Sequence, residues 1–292
     1  MKTISVVIPT LGRSPWLLQC LEALRREGGR AIEIVVVDQG EKPADLPEGM
    51  ADRVVRPGKN LGFAAGTNRG IAESSGALLA TVNDDAIVEP GWLASLRAAL
   101  ENDPKAAAVQ GVNLLVDDPE RADGCGIAWN RWWQAVQIGH GEEAPPAAPG
   151  AREVFGVSAT AALFRREALL AVSSRGEVFD SRLVSYYEDV ELAGRLRAAG
   201  FRALLVPAAR ARHAGSATGR TLSRERWRLI YGNRYLAAAH LLGRGFWPRL
   251  PILFLRDLLD WVRAMVWRDR ARASGIPAGW GRAFRLLITS RP

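Results

Sequence analysis

Cysteine is nearly absent from this 292-residue chain, which has only Cys20 and Cys125. Two thiols so far apart give neither a disulfide framework nor a metal-ligand spacing. That fits a reducing compartment, with Cys20 expected as a small core residue on an apolar helix face. Also missing is any uncharged apolar run near the roughly 20 residues of a membrane-spanning helix. Met1-Lys2 leads straight into the apolar segment Ile4–Ile8, so no secretory leader is expected. No GxxxxGK[ST] loop is present, and no GxGxxG follows the first apolar segment, which argues against ATP or dinucleotide binding of the usual kinds. There is no internal repeat, and the one compositionally biased stretch, Glu142–Gly150, reads as a loop. What is present is a globular composition, 48% hydrophobic and 24% charged, long enough to bury a large core.

Charge is spread unevenly. From Arg220 to Pro292 the chain carries fifteen arginines and four acids, a net +11, whereas residues 1–219 carry 24 basic and 27 acidic residues, a net −3. The expected organisation is therefore a mildly acidic body at 1–219 and a basic helical tail at 220–292.

The body reads as alternating strands and helices. Ile4–Thr10 is a strand, and Ser14-Pro15 starts a helix that Gly28-Gly29 ends. Glu33–Asp38 is a second buried strand, which makes the opening a right-handed β-α-β unit with parallel strands. A short strand at Arg53–Arg56 follows, then a helix from Asn60 through Gly76. Leu78 begins a strand that stops at Asn83-Asp84-Asp85. This alternation predicts a doubly wound α/β fold. Further on, Ala106–Leu115 and Val154–Phe164 read as longer strands flanking an irregular insert at 117–150. Glu188–Ala199 is a helix, and Ala203–Val206 is a last strand before Pro207.

The apolar run ending in Asn83-Asp84-Asp85 is the most informative segment. In open α/β sheets ligands bind outside the carboxyl ends of strands. Adjacent acids there repel each other unless a cation or hydrogen-bond donors compensate them, and Mg²⁺ or Mn²⁺ carrying a diphosphate suits one or two carboxylates. The plain alternative is that Asp84 or Asp85 caps a helix starting near Pro90-Gly91-Trp92. Asp38 ends the second strand at the same edge, as a ribose or base acceptor or as a turn residue before Gly40. Glu188-Asp189 opens a helix after Tyr186-Tyr187, where acids either complement the helix dipole or hold a general base. Glu191 suits a plain pairing with Arg195 one turn on. A lone His213 past the last strand is as a rule structural or solvated.

Together, SVVIPT at 5–10, VVVDQG at 35–40, NLGFAAGTNRGI at 60–71, NDDA at 83–86, FD at 179–180, EDVELAGRLRAAGF at 188–201 and VPAARARH at 206–213 resemble the family-2 glycosyltransferases, with the GT-A nucleotide-diphospho-sugar fold. The resemblance spans residues 4–215 and is closest to the bacterial rhamnosyltransferase-like branch. It implies a mostly parallel central sheet with flanking helices, residues 1–103 mainly binding the nucleotide sugar and 104–219 mainly serving the acceptor. It assigns Pro9, Thr10 and Asp38 to the nucleotide base and ribose. Asn60, Gly62, Gly66 and Asn68 fall on a donor-pocket wall whose glycines permit close backbone approach. Asn83 stands at the first position of the family's DxD, Asp84 falls to the donor ribose or sugar, and Asp85 to a Mg²⁺ or Mn²⁺ ion. Asp189 matches the catalytic base, Glu188 orients acceptor or sugar, and His213 matches a position that approaches the metal or diphosphate. Two departures stand out: a neutral Asn83 for the first acid, and Asp38-Gln39 where relatives have two acids.

The implied activity is inverting transfer of a sugar, rhamnose by the branch, from a nucleoside-diphosphate donor to a hydroxyl of a lipid-linked or cell-surface glycan precursor. A sugar-nucleotide-forming enzyme of the same fold is the nearer alternative, though Thr10-Leu11-Gly12-Arg13 poorly matches its expected loop. A nucleic-acid-binding protein is the distant one; it leaves both carboxylate motifs unexplained, so no nucleic-acid partner is expected. In the tail, Leu250–Trp267 is apolar at 254, 258, 261, 262, 265 and 266, with Arg256, Asp260 and Arg263 on another face. This pattern predicts an interfacial helix on an anionic membrane surface, at the cytoplasmic face, or alternatively a helix packed on the body or on a second subunit in a homodimer.

Overall fold

The computed structural model describes residues 4–215 and 223–289. Met1-Lys2, Arg220 and the expected boundary at 219–220 lie outside the described residues.

Strands β1 (Ile4–Thr10), β2 (Ile32–Asp38) and β4 (Leu78–Val82) lie side by side and parallel, with β3 (Arg53–Val55) beyond β2. Successive side chains feed opposite faces. Val6, Ile8, Ile34 and Val36 join the apolar layer under α1 (Leu17–Gly28) and α3 (Trp92–Asn102). Val7 and Val37 join the layer under α2 (Gly62–Ala72), α4 (Arg166–Ala171) and α5 (Glu188–Ala198). A strand covered on both faces must be apolar at every position, so these strands read as unbroken runs. Helix α1 begins later than Ser14, because the Ser14 hydroxyl is engaged elsewhere: it accepts from the Trp16 N–H and donates to the Asp84 carbonyl. Helix α2 stops at Ala72, short of Gly76, whose N–H donates to Ser5 Oγ across the sheet.

The second half of the sheet is mixed. Its order is β10-β12-β6-β11-β4-β1-β2-β3, with β5 (Ala86–Val88) on β12 and β7 (Asp118–Gly124) on β6. Strand β6 (Ala106–Leu115) forms as expected. The single strand expected at Val154–Phe164 is instead β10 (Arg152–Val154) and β11 (Ala161–Arg165), the latter antiparallel to both β4 and β6. Between them the Ser158 N–H donates to Gln110 Oε1 at 2.6 Å and the Thr160 carbonyl accepts from the Asn83 N–H at 2.8 Å, which draws the chain off the ladder toward the end of β4. The insert is not irregular as expected: β7 extends the sheet, and β8 (Ile127–Trp129) pairs with β9 (Ala135–Gln137) in a hairpin. Strand β12 (Arg202–His213) continues past Pro207, which sits where the register with β6 shifts between Leu205 and Arg210 and no ladder N–H is required.

Three α-helices follow among the described residues: α6 (Arg224–Leu242), α7 (Phe246–Val266) and α8 (Arg270–Thr289). Helix α6 packs between α5 and α8, and glycines allow the close approach. A Cβ on Gly194 would come within 2.2 Å of the Leu241 side chain, and one on Gly279 within 2.8 Å of Tyr231 Cβ. Helix α7 is turned inside out. Its acids face inward, Asp257 paired with Arg234 and accepting from the Tyr235 hydroxyl at 2.7 Å, and Asp260 accepting from the Tyr231 hydroxyl at 3.2 Å. Its exposed stripe is Ile252, Leu255, Leu259, Val262 and Val266. Of the apolar positions expected at 254, 258, 261, 262, 265 and 266, Phe254, Val262, Met265 and Val266 are exposed, while Leu258 and Trp261 are half-buried. Phe254 and Trp261 turn toward Trp280 of α8, and the Trp261 indole donates to the Ala273 carbonyl. Arg256 and Arg263 do share a face with Asp260, at 2.9 and 3.5 Å. Among the described residues no helix is long and apolar enough to cross a membrane.

Candidate active site

The register of β1 on β2 sets Thr10 beside Asp38, and β4 ends in Asn83-Asp84-Asp85 at the same edge. Thr10 Oγ1 donates to Asp84 Oδ2 at 2.5 Å. Burial is the first influence on Asp84 and the charge of Asp85 adds to it; together they outweigh the Thr10 bond and push its carboxyl up to about 6. Neither acid caps α3, whose preceding Gly91 and first turn are instead held by Glu27 through the N–H groups of Gly91 and Leu93.

Strand β5 explains how His213 reaches this edge. It runs antiparallel to the end of β12 with Ala86 opposite His213, and the Ala214 N–H donates to the Asp85 carbonyl at 3.0 Å. His213 Nε2 then lies 3.2 Å from Asp85 Oδ1, and Nδ1 lies 2.8 Å from Asp123 Oδ2 on β7. Burial opposes charge on the ring, but the two carboxylates prevail and raise His213 to about 9. Asn83 Nδ2 is 3.5 Å from the same Nε2, while Asn83 Oδ1 is buried with no hydrogen-bond partner. Nothing in the sequence marked Asp123, which lies in the insert.

The second pair of acids stands at the start of α5. Burial raises both carboxyls. Glu188 is affected more strongly: its Oε2 has no hydrogen-bond donor and Asp189 lies beside it, whereas Asp189 accepts from the Val190 and Ala159 N–H groups and the Ser158 hydroxyl. The pair thus retains a proton above the usual carboxylate range, held mainly by Glu188. Segment 158–160 touches both motifs, since Thr160 bonds Asn83 and residues 158–159 bond Asp189. Sequence reading passed over that bridge.

The remaining expected residues are placed as follows. Pro9 is buried in β1. Asp38 accepts from the Gly40 and Ala44 N–H groups, and Arg56 Nε lies 3.2 Å away, so its carboxylate organises its own loop. Asn60 Oδ1 accepts from the Gly62 N–H. The space beside Gly62 and Gly66 is taken by the protein's own Val184 and Gln39, with 2.5 Å from each built Cβ to the nearest atom. Asn68 is bound to the backbone of Phe179 in both directions, at 2.7 and 2.9 Å.

The turn that delivers Glu188 is strained and clamped. Val184, Tyr186 and Tyr187 all have positive φ, at 65, 69 and 70°. From α6, Asn233 Nδ2 lies 2.7, 2.8 and 2.8 Å from the carbonyl oxygens of Leu183, Ser185 and Tyr186. Arg282 of α8 donates to Asn233 Oδ1 at 2.8 Å and to the Arg182 carbonyl at 2.5 Å. The C-terminal helices thus build the floor of the second acidic pair. Asn233→Ala is expected to lower turnover about tenfold or more with little change in donor affinity. Kinetics that match wild type would show that the turn holds itself.

Comparison with known proteins agrees with this architecture. Residues 5–172 match the model of "Glycosyl transferase family 2". An uncharacterised protein of Sinorhizobium fredii is 28% identical over 233 residues, 74% of this chain, and the match spans 25% of that longer protein. An N-acetylglucosaminyl-diphospho-decaprenol L-rhamnosyltransferase of Mycobacterium tuberculosis is 26% identical over 247 residues, 74% of this chain and 78% of its own. The structure of a mannosyltransferase from Pyrobaculum calidifontis in complex with GDP-Man and Mn²⁺ superposes on 97% of this chain and 87% of that one, with TM-score 0.57 and 16% identity. The chain belongs to glycosyl transferase family 2 and has the GT-A fold.

Proposed function

We propose that the protein is a divalent-metal-dependent, inverting glycosyltransferase that moves a sugar from a nucleoside diphosphate to a hydroxyl of a lipid-linked or cell-surface glycan precursor. The observation that carries this reading is the joining of two carboxylate motifs, at Asp85 and at Glu188-Asp189, through one short segment at the carboxyl edge of the sheet. The mycobacterial relative's name supports rhamnose as the sugar and a lipid diphosphate as the carrier of the acceptor.

The residues beside Asp85 fit a Mg²⁺ or Mn²⁺ ion. Asn83 Oδ1 is buried without a partner, and Nε2 of a neutral His213 would face Asp85 as a second acceptor. Two acceptors at that separation need a proton or a cation between them. Asp123 on Nδ1 supplies the carboxylate that commonly orients a metal-binding imidazole. Asp85, His213 and Asn83 Oδ1 would hold the ion, with donor phosphate oxygens filling the remaining positions. Among the described residues no three His, Cys, Asp or Glu side chains are grouped to hold a metal ion. When bound, the ion stabilises charge on the departing nucleoside diphosphate.

Asp189 accepts the proton of the acceptor hydroxyl as that oxygen attacks the anomeric carbon. The bond from that carbon to the β-phosphate oxygen breaks, and its electron pair leaves with the nucleotide. One in-line displacement inverts the centre and needs one base. Glu188, protonated and beside the base, is placed to donate to a sugar or acceptor oxygen. The Thr10–Asp84 pair lines the donor side.

Attachment to the cytoplasmic face of a membrane through α7 belongs to the same reading. Both acids of α7 are buried, while Arg263 on it and Arg244, Arg268 and Arg270 beyond its ends are exposed, with Asp269 half-buried among them, so the charge around its apolar stripe is mainly positive.

A thermal-shift screen of UDP-, GDP- and dTDP-sugars with and without Mn²⁺ tests the reading. One nucleotide is expected to stabilise the protein only with the metal, and Asp85→Ala to lose both that shift and turnover. Full turnover in EDTA would remove the metal from the mechanism.

A further inference from the structure

A cleft of about 350 Å³ opens between α6, α7, α8 and the β8–β9 hairpin, lined on one side by Tyr187, the residue that precedes Glu188-Asp189. Four arginines line it: Arg234, which Asp257 neutralises, and Arg256, Arg263 and Arg272. The last three converge on one carboxylate, Asp260, at 2.9, 3.5 and 3.7 Å. One acid cannot balance three guanidinium groups, so the cleft carries a positive excess. Arg272 Nε is buried with no hydrogen-bond partner. The Trp227 and Trp267 side chains complete the walls. On α7, Arg256 and Arg263 occupy the face adjoining the exposed stripe of Ile252, Leu255, Leu259 and Val262, so an anion in the cleft lies beside an apolar surface.

We propose that this cleft binds the diphosphate of the acceptor, a polyprenyl-type lipid diphosphate whose chain lies along α7 while its sugar reaches past Tyr187 to Asp189. The inference rests on the transferase reading and adds where the acceptor sits. Guanidinium forks match phosphate oxygens in geometry, and a dianionic or trianionic group supplies the charge that Asp260 alone does not. Only an amphiphile with a phosphate head satisfies both the cleft and the stripe. A nucleotide lacks the chain, and a neutral lipid lacks the charge.

The test is binding of farnesyl diphosphate to the full chain in EDTA, which silences the metal-dependent donor site, with farnesol, inorganic pyrophosphate and phosphatidylglycerol vesicles as separate arms. Farnesyl diphosphate is expected to bind more tightly than either farnesol or pyrophosphate. Arg263→Gln and Arg256→Gln should each weaken it about tenfold, the usual worth of a charge-assisted bond. Asp85→Ala should leave it unchanged. Arg263 is more than half exposed and Asp260 keeps Arg256 and Tyr231 without it, so that variant remains informative even if Arg256→Gln fails to fold.

Equal binding by wild type and Arg263→Gln would overturn the proposal. So would pyrophosphate binding as tightly as the lipid. Arginine-dependent binding to the vesicles alone would overturn it as well, by making a phospholipid headgroup the ligand. If no nucleotide sugar stabilises the protein while the lipid diphosphate still binds through Arg263, the transferase reading falls and the cleft assignment stands.

Discussion

Asp189→Asn is expected to cut turnover by about 10²–10⁴ while donor binding survives, the range typical for loss of a positioned base. Asparagine keeps the size of the side chain and an oxygen that can accept from the Val190 N–H, now 2.8 Å from Oδ1, so α5 should start as before. Only the basicity goes. The pH profile makes the assignment sharper. Burial raises the carboxyl of Asp189, so activity should fall on the acid side at a pH above the usual carboxylate range, where the base takes up its proton. Glu188 is still protonated, and so neutral, where Asp189 titrates, so Glu188→Gln should leave the acid limb where it is. The same substitution bears on stability. A carboxyl whose folded value is raised gives stability that is present at low pH and lost as pH rises through that value. Glu188→Gln should therefore melt like wild type in acid and higher than wild type in mild alkali. If Glu188→Gln costs more turnover than Asp189→Asn at equal donor affinity, Glu188 is the base.

The sequence made the parallel half of the fold, Asp38 and the Asp84-Asp85 pair legible for one physical reason. Ile4–Thr10, Ile32–Asp38 and Leu78–Val82 are buried on both faces, so their apolar runs stop where the sheet edge begins, and the acids at those stops mark it. The partners of those acids lie far along the chain and were hidden. Asp123 meets His213 only because β7 and β12 both pair with β6. Ser158 and Thr160 sit where a strand pattern read straight through, since Gln110 and Asn83 pull the backbone aside. Asn233 is an ordinary polar residue inside a helix, with no local sign that three carbonyls of a strained turn converge on it. In the tail, amphipathicity was visible, and the inward turn of Asp257 and Asp260 was not. A wheel of α7 does not show that Arg234, Tyr231 and Tyr235 await its acids, and that pairing is what turns the aliphatic side outward.

The exposed stripe of α7 leads to the second large effect: Leu255→Glu with Leu259→Glu should abolish flotation of the protein with liposomes containing anionic lipid. Leu255 is 56% exposed and Leu259 50%, one turn apart on a face that no other element among the described residues covers. Burying a leucine side chain is worth about 1.5–3 kcal/mol, so losing two lowers partitioning by about 10²–10⁴, before counting the cost of placing two carboxylates at an anionic surface. Deleting the tail tests the idea poorly, because α6 and α8 hold the turn before Glu188 and their loss would disturb the Glu188-Asp189 pair itself. The double substitution touches neither α6 nor the ion pairs of Asp257 and Asp260, so melting temperature and nucleotide binding should be unchanged. Salt separates the two contributions. Attraction of the exposed arginines fades as the Debye length shortens, from about 10 Å at 0.1 M to about 3 Å at 1 M, whereas insertion of Leu255, Leu259, Val262 and Val266 resists it. Wild type should therefore keep part of its binding at high salt and the double variant none. Flotation that is equal in the two proteins would exclude lipid contact through α7. A shift from dimer to monomer on the same substitutions would assign the stripe to a second copy of the chain.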